Sequence, residues 1–206
     1  ARMRSLGIAA VIVDRDLSDG AFTSVSVDDV LGGELAVRHL AEQGHTRIAF
    51  VGGPLSLRQI ADRFEGAAQE AARHPGDQIE FVPTEGLRIM DGVQAGLRLV
   101  ERPVDQRPTA AFAGNDLVAL GLLQALASRR VRVPQEMALI GYDDIAFAAG
   151  AAVPLSSIAQ PRHEIGRRAM ELLLAEAGDP DRPKERVVLD PTLVVRRSTD
   201  AEQPTS

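Results

Sequence analysis

Four times along this chain an apolar run rich in strand-forming residues ends in a burst of hydrogen-bonding groups. The four endings are Val13-Asp14-Arg15, Val51-Gly52-Gly53-Pro54, Ala113-Gly114-Asn115-Asp116 and Gly141-Tyr142-Asp143-Asp144. If the runs are parallel strands, these polar groups all lie just past strand C-termini. That is the edge of an open α/β sheet where ligands bind. A small-molecule cleft is therefore the first expectation.

The alternation of patterns supports such a sheet. Strands are expected at residues 8–13, 23–27, 47–51, 79–82, 109–113 and 137–141. The first is apolar throughout, which predicts burial on both faces. A polar loop is expected at 16–20. Helical spacing marks 32–43, with Gly44 placed as a C-terminal cap, then 57–73, a helix N-capped by Asp91, and 116–129. From Arg47 onward the order is βαβαβαβ, which right-handed crossovers turn into a doubly wound parallel sheet. After Pro154 the pattern changes. Residues 155–160 suit an extended crossing segment. Residues 163–177 form an amphipathic helix with Ile165, Ala169, Leu172 and Leu173 inward, and two short strands at 186–189 and 193–196 flank the turn signal Asp190-Pro191.

Composition narrows the function classes. With 45% hydrophobic and 25% charged residues, 206 residues can bury a core of useful size. The absence of cysteine excludes disulfides and thiolate chemistry. No leader-like segment opens the sequence and no apolar run reaches membrane-spanning length, so a cytoplasmic chain with no membrane partner is expected. Lys and Arg number 23 against 29 Asp and Glu, a formal charge of −6 without a dense basic stripe. Nucleic acid is not expected to bind this segment by itself.

Each polar constellation has two readings. Asp14 either caps a loop or meets a ligand, and Asn115 either caps the helix at Asp116 or does the same. Arg63, in Ala61-Asp62-Arg63-Phe64-Glu65-Gly66, is either a solvated arginine paired with Asp62 or Glu65 or a fork for vicinal hydroxyls or a carboxylate. Asp143-Asp144 could hold a metal or act as an acid–base pair. Neighbouring side chains in extended backbone diverge, however, so only one should face the cleft while the other caps or pairs. The four histidines, His39, His45, His74 and His163, lack metal-binding spacing, and His45 suits a turn contact between helix and strand. Residues 51–54 precede a helix as a phosphate loop would, yet carry neither glycine signature of nucleotide binding. No nucleophile, base and oxyanion site assemble, and no cofactor is implied.

Taken in order, these segments resemble the LacI family of bacterial transcription regulators. The resemblance rests on Val13-Asp14-Arg15, LAEQGHTRIA (40–49), Val51-Gly52-Gly53-Pro54, Arg63-Phe64-Glu65-Gly66, PTAAFAGNDLVALG (108–121), Val133-Pro134, IGYDDI (140–145) and PLSSIAQPRHEIG (154–166). It runs from about Gly7 to Arg197. It implies a type I periplasmic-binding-protein fold, two α/β lobes joined by three crossing segments with an effector held between them. By position, Asp14, Arg63, Asn115, Asp143 and Gln160 would contact that effector. At Leu87 several sugar- or purine-binding relatives carry a stacking aromatic, and leucine would leave an apolar wall.

The resemblance also implies a partial first lobe, residues 1–27 and 159–184, and a full second lobe, 28–158 and 185–198, with a disordered tail at 199–206. The helix-turn-helix headpiece of such regulators is absent from this segment, and a truncated first lobe would leave an open sheet edge. The implied function is effector binding and dimerisation in a repressor, through a shift in lobe populations. The effector would be a sugar or similar small polar molecule, the assembly a homodimer, and operator DNA would be reached only through the missing headpiece. An extracytoplasmic sugar receptor and a metal-dependent enzyme using Asp143 and Asp144 are the alternatives. Arg63→Ala and Asp143→Ala are expected to weaken effector binding and leave the fold intact.

Overall fold

In the computed structural model, the described residues are 8–14, 21–74 and 76–200. They form two compact units, Ala1–Asp28 with Pro161–Pro191, and Asp29–Gln160 with Thr192–Ser206. The loop expected at 16–20 and the last six residues lie outside the described residues.

The smaller unit is a three-stranded parallel sheet, β1 (Val11–Val13), β2 (Thr23–Val27) and β8 (Arg186–Leu189), in the order β1-β2-β8. Helix α6 (Arg162–Gly178) packs on β1 and β2. Its Glu176 accepts a hydrogen bond from the Thr23 hydroxyl and lies 3.1 Å from the Lys184 ammonium. Three sequence expectations change here. The first strand is not buried on both faces: Val13 is 47% exposed, because β1 is an edge strand. On α6 only Leu172 of the four expected apolar residues is fully buried, joined by Glu176. Strand 186–189 does not belong with 193–196, because it pairs with β2 from Ser24↔Arg186 to Val27↔Leu189. The Asp190-Pro191 turn therefore leads from one unit into the other, and the second unit resumes at Thr192 rather than at 185.

The larger unit is a six-stranded sheet ordered β4-β3-β5-β6-β7-β9. Its strands are β3 (Arg47–Gly52), β4 (Gln78–Pro83), β5 (Ala110–Ala113), β6 (Ala138–Asp143), β7 (Ser156–Ala159) and β9 (Thr192–Val194). All pairings are parallel except β7 with β9. Alternate residues feed opposite faces, as a period of two requires. Ile48, Phe50, Phe112, Ile140 and Tyr142 join one buried cluster with α1 (Asp29–Glu42) and α2 (Arg58–Ala71). Ala49, Val51, Ala111 and Leu139 join the other with α3 (Ile89–Val100) and α4 (Asp116–Ser128). A short α5 (Ala146–Ala149) follows β6. The doubly wound expectation is thus met, with Gly44 at φ +88° ending α1 as a left-handed cap.

Two local readings are corrected. Asp91 is not the N-cap of α3 but its third residue, where the carboxylate accepts from the Arg88 amide at 2.9 Å. The reciprocal arrangement satisfies a helix-terminal donor from inside the first turn. The chain after Ser198 is not a disordered tail through its first residues. Ser198 and Thr199 are buried, and the Thr199 hydroxyl lies 2.8 Å from His39 Nε2 and 2.6 Å from Ser156 Oγ.

Candidate functional site

Strand order reverses direction between β3 and β5: the chain steps outward from β3 to β4, then back to the other side of β3. A switch of this kind leaves a crevice at the strand C-termini, because the helices that follow go to opposite faces. Five of the expected residues, Arg63, Leu87, Asn115, Asp143 and Gln160, lie at the C-terminal ends of β5, β6 and β7 or beside them.

Arg63 is the centre of this group. The side chain is 6% exposed, and its Nε donates to Asp29 Oδ1 at 2.8 Å while Nη1 donates to the Gly114 carbonyl at 2.7 Å. The guanidinium carbon sits 3.5 Å from the Tyr142 ring centroid, a cation–π contact. Neither Asp62 nor Glu65 is its partner; Asp62 pairs with Arg58 and Glu65 with Gln69. Helix packing produces this geometry. Helices α1 and α2 cross with backbones touching: a Cβ on Gly33 would fall 2.1 Å from the Arg63 carbonyl, and one on Gly66 1.9 Å from that of Val30. Only glycine allows that approach, which brings Asp29 at the start of α1 onto Arg63 in α2. Burial opposes the Arg63 charge, but Asp29, Tyr142 and Asp143 outweigh it and hold its pKa above the ordinary arginine value.

Arg63 Nη2 lies 3.9 Å from Asp143 Oδ1. Asp143 ends β6 at φ 103°, with its side chain 32% exposed. Gln160, just past β7, donates from Nε2 to the same Asp143 oxygen at 2.6 Å. An arginine edge, a carboxylate and an amide thus converge, a combination suited to vicinal hydroxyl groups, which both donate and accept. Asp144 diverges from its neighbour and pairs with Arg196 Nη1 at 2.7 Å. Among the described residues no group of three or more His, Cys, Asp or Glu is arranged to hold a metal.

Asn115 serves as the helix cap of the blander reading. Its Oδ1 accepts from the Val118 amide at 2.9 Å, and its Nδ2 donates to the Leu87 carbonyl at 3.2 Å. The second Nδ2 hydrogen leaves it capacity for a further acceptor. Leu87 packs partly buried against both core clusters and forms an apolar wall beside Gly114. Asp14 belongs to the smaller unit, exposed at the C-terminal end of β1 with φ 60°. His45 lies in the turn between α1 and β3, but its Nδ1 reaches out of that turn to the Thr109 hydroxyl ahead of β5, at 3.0 Å.

Sequence reasoning missed Asp29, Tyr142 and Asp116. Asp29 was hidden because the helix looked as if it began at Gly32. Tyr142 stood inside a quoted motif, and as the chain's single tyrosine it could have drawn notice. Its phenol is fully buried, and burial followed by the nearby Asp29 carboxylate pushes it well above the ordinary tyrosine value.

The model of the periplasmic binding protein-like domain matches residues 37–199. A LacI-family transcriptional regulator from Enterococcus faecalis V583, solved with bound ribose, superposes with a TM-score of 0.86 at 30% identity over 95% of this chain and 70% of that one. The chain belongs to the LacI family. This LacI-family chain is also 36% identical to the ribose operon repressor of Escherichia coli K12 over 194 residues, 93% of the chain and 58% of that protein. It is 32% identical to the transcriptional repressor PurR of Vibrio atlanticus over 196 residues, 94% of the chain and 58% of that protein. It therefore spans somewhat more than half the length of these curated relatives.

Proposed function

We propose that this chain is the effector-binding core of a cytoplasmic LacI-type repressor, its two units being the two lobes, and that its effector is a sugar. The observation that carries the reading is the convergence of Arg63 Nη2, Asp143 and Gln160 at the C-terminal ends of β6 and β7. Arg63 and Asp143 address hydroxyls, Gln160 fixes the carboxylate, Asn115 offers its remaining N–H, and Leu87 covers an apolar sugar face. Asp14 is assigned to the same ligand by its place in the sequence alone. The bound ribose of the Enterococcus regulator and the name of the ribose operon repressor make pentoses the first class to test. Asp144 is engaged by Arg196 and the relatives are repressors and regulators, so the regulator is preferred to a receptor or a metal enzyme.

Binding would act by population shift, the sugar favouring the conformation whose contacts it completes and so altering how a DNA-binding headpiece meets an operator. Such regulation suits a homodimer. Ile89, Met90, Leu117 and Phe147, between 37% and 74% exposed at the starts of α3 and α4 and on α5, are the apolar residues proposed for its interface. Titration calorimetry against D-ribose, other pentoses, hexoses and purines tests the core reading. Binding of a sugar that weakens at least tenfold in Asp143→Asn supports it, and a chain that binds no sugar, or binds one equally well in that variant, refutes it. Sedimentation of Phe147→Asp tests the interface, a monomer being expected where the parent is a dimer.

A further inference from the structure

The turn that presents Asp143 is strained. Asp143 and Asp144 both have positive φ, 103° and 48°, a region that side-chain-bearing residues enter only when their surroundings impose it. What imposes it is a buried carboxylate from another element. Asp116, in the first turn of α4, is fully buried, and its Oδ2 accepts the Ile145 amide at 2.8 Å, directly after the two strained residues. Its Oδ1 accepts the Ser157 hydroxyl at 2.7 Å, and Ser157 Oγ in turn accepts the Asp144 amide at 3.0 Å. Two consecutive turn amides thus end, directly or through one hydroxyl, on a single carboxylate.

The space for this carboxylate is reserved in the sheet. A Cβ on Gly141 would lie 2.1 Å from Asp116 Oδ1, so β6 must be bare at that point. Ser157 is the residue registered opposite Gly141 on β7, and β7 runs on to Gln160, the partner of Asp143. Asp116 therefore sits where α4, the β6 turn and β7 meet. Burial, with Asp143 and Asp144 adding repulsion against the hydrogen bonds of Ser157 and Ile145, pushes its pKa up to about 6. Both of its oxygens act as acceptors.

We infer that Asp116 is a positioning residue for effector recognition: acting through Ser157 and the Ile145 amide, it locks the Asp143-Asp144 turn and the β7 approach to Gln160 into one ligand-facing geometry. The inference deepens the proposed function and rests on it for the ligand. Asparagine at 116 keeps the volume and removes a buried charge but can accept only one of the two bonds, so a purely structural role would leave binding tied to stability. The test compares Asp116→Asn, Ser157→Ala, Ser157→Thr and Asp143→Asn by D-ribose calorimetry, urea unfolding and amide hydrogen exchange. Asp116→Asn and Ser157→Ala should exchange Asp144 and Ile145 amides at least tenfold faster, with β3 and β5 unchanged. They should lose at least tenfold in ribose affinity at near-parental stability, and Ser157→Thr, which keeps the hydroxyl, should restore both. Unchanged exchange at the two amides overturns the inference whether or not ribose binds. Weakened binding in Asp143→Asn with parental binding in Asp116→Asn overturns it alone and leaves the proposed function standing. Failure of the parent to bind any sugar counts against the proposed function, and the exchange measurement still decides the role of Asp116.

Discussion

Replacing Arg63 by alanine should damage the larger unit before any ligand is added. The substitution leaves Asp29, 8% exposed, without its 2.8 Å partner, strips the Gly114 carbonyl of its donor, and removes the cation stacked on Tyr142. Breaking a buried ion pair from one side costs about 3–5 kcal/mol, because the remaining charge stays desolvated. Against a typical stability of roughly 5–15 kcal/mol, that is a large fraction. The expectation that Arg63→Ala spares the fold is therefore withdrawn: a surface arginine would be dispensable, whereas this one is built into the core. The assay is urea unfolding followed by tyrosine emission, since Tyr142 is the chain's single tyrosine, there is no tryptophan, and the ring lies against Arg63 itself. The midpoint should fall at nearly constant slope. A double variant, Arg63→Met with Asp29→Asn, should recover a substantial part of the loss, because the stranded charge is gone. A loss below about 1 kcal/mol in Arg63→Ala, or a double variant as unstable as the sum of its parts, would refute the assignment of a buried, charge-compensated pair.

Acid should release a second charge cluster. Glu70, buried between α1 and α2, bonds Arg38 bidentately at 3.2 and 3.1 Å and also meets Arg73 and His74. The Arg38 hydrogen bonds lower its pKa from 4.5 to about 2. A depressed carboxylate stabilises the fold fully above its unfolded value, so its contribution should disappear as pH falls from 4.5 through about 2. With Arg38 and Arg73 41% and 51% exposed, solvent screening trims this to about 1–2 kcal/mol, measurable as a reduced acid dependence of unfolding in Glu70→Gln. Gly66→Ala should cost about 1–3 kcal/mol by forcing α1 from α2, and should weaken sugar binding along with stability because it separates Asp29 from Arg63; calorimetry and urea unfolding of the same preparation check both. Asn115→Ala should lose about 1 kcal/mol as the cap of α4, read from its thermal midpoint, and affinity should fall beyond that if its second N–H meets the ligand.

The sequence was most legible where one local rule decides. Near-continuous apolar runs in 47–51, 109–113 and 137–141 located the central strands, because their residues feed two faces that are both buried. The polar endings of those strands located the crevice, because parallel strands of a doubly wound sheet present their C-termini on one edge. It was least legible where a residue's meaning depends on a distant element. Strand 186–189 was grouped with 193–196 across the turn signal Asp190-Pro191, but backbone pairing with β2 claimed it. Arg63 was open to two readings, a solvated arginine beside Asp62 and Glu65 or a fork for a ligand, and a glycine-to-glycine helix crossing put Asp29, more than thirty positions away, into its fork. Asp116 stood in the sequence only as the start of a helix, and the register of β6 with β7 showed what it holds. Periodicity and turn chemistry are short-range and written in consecutive residues, so the sequence by itself determined which segments would be strands and where a ligand edge would form. Which charge meets which carboxylate was left to the tertiary structure, since that depends on how closely separate elements pack, and backbone approach is set jointly by residues that carry no local signal of each other.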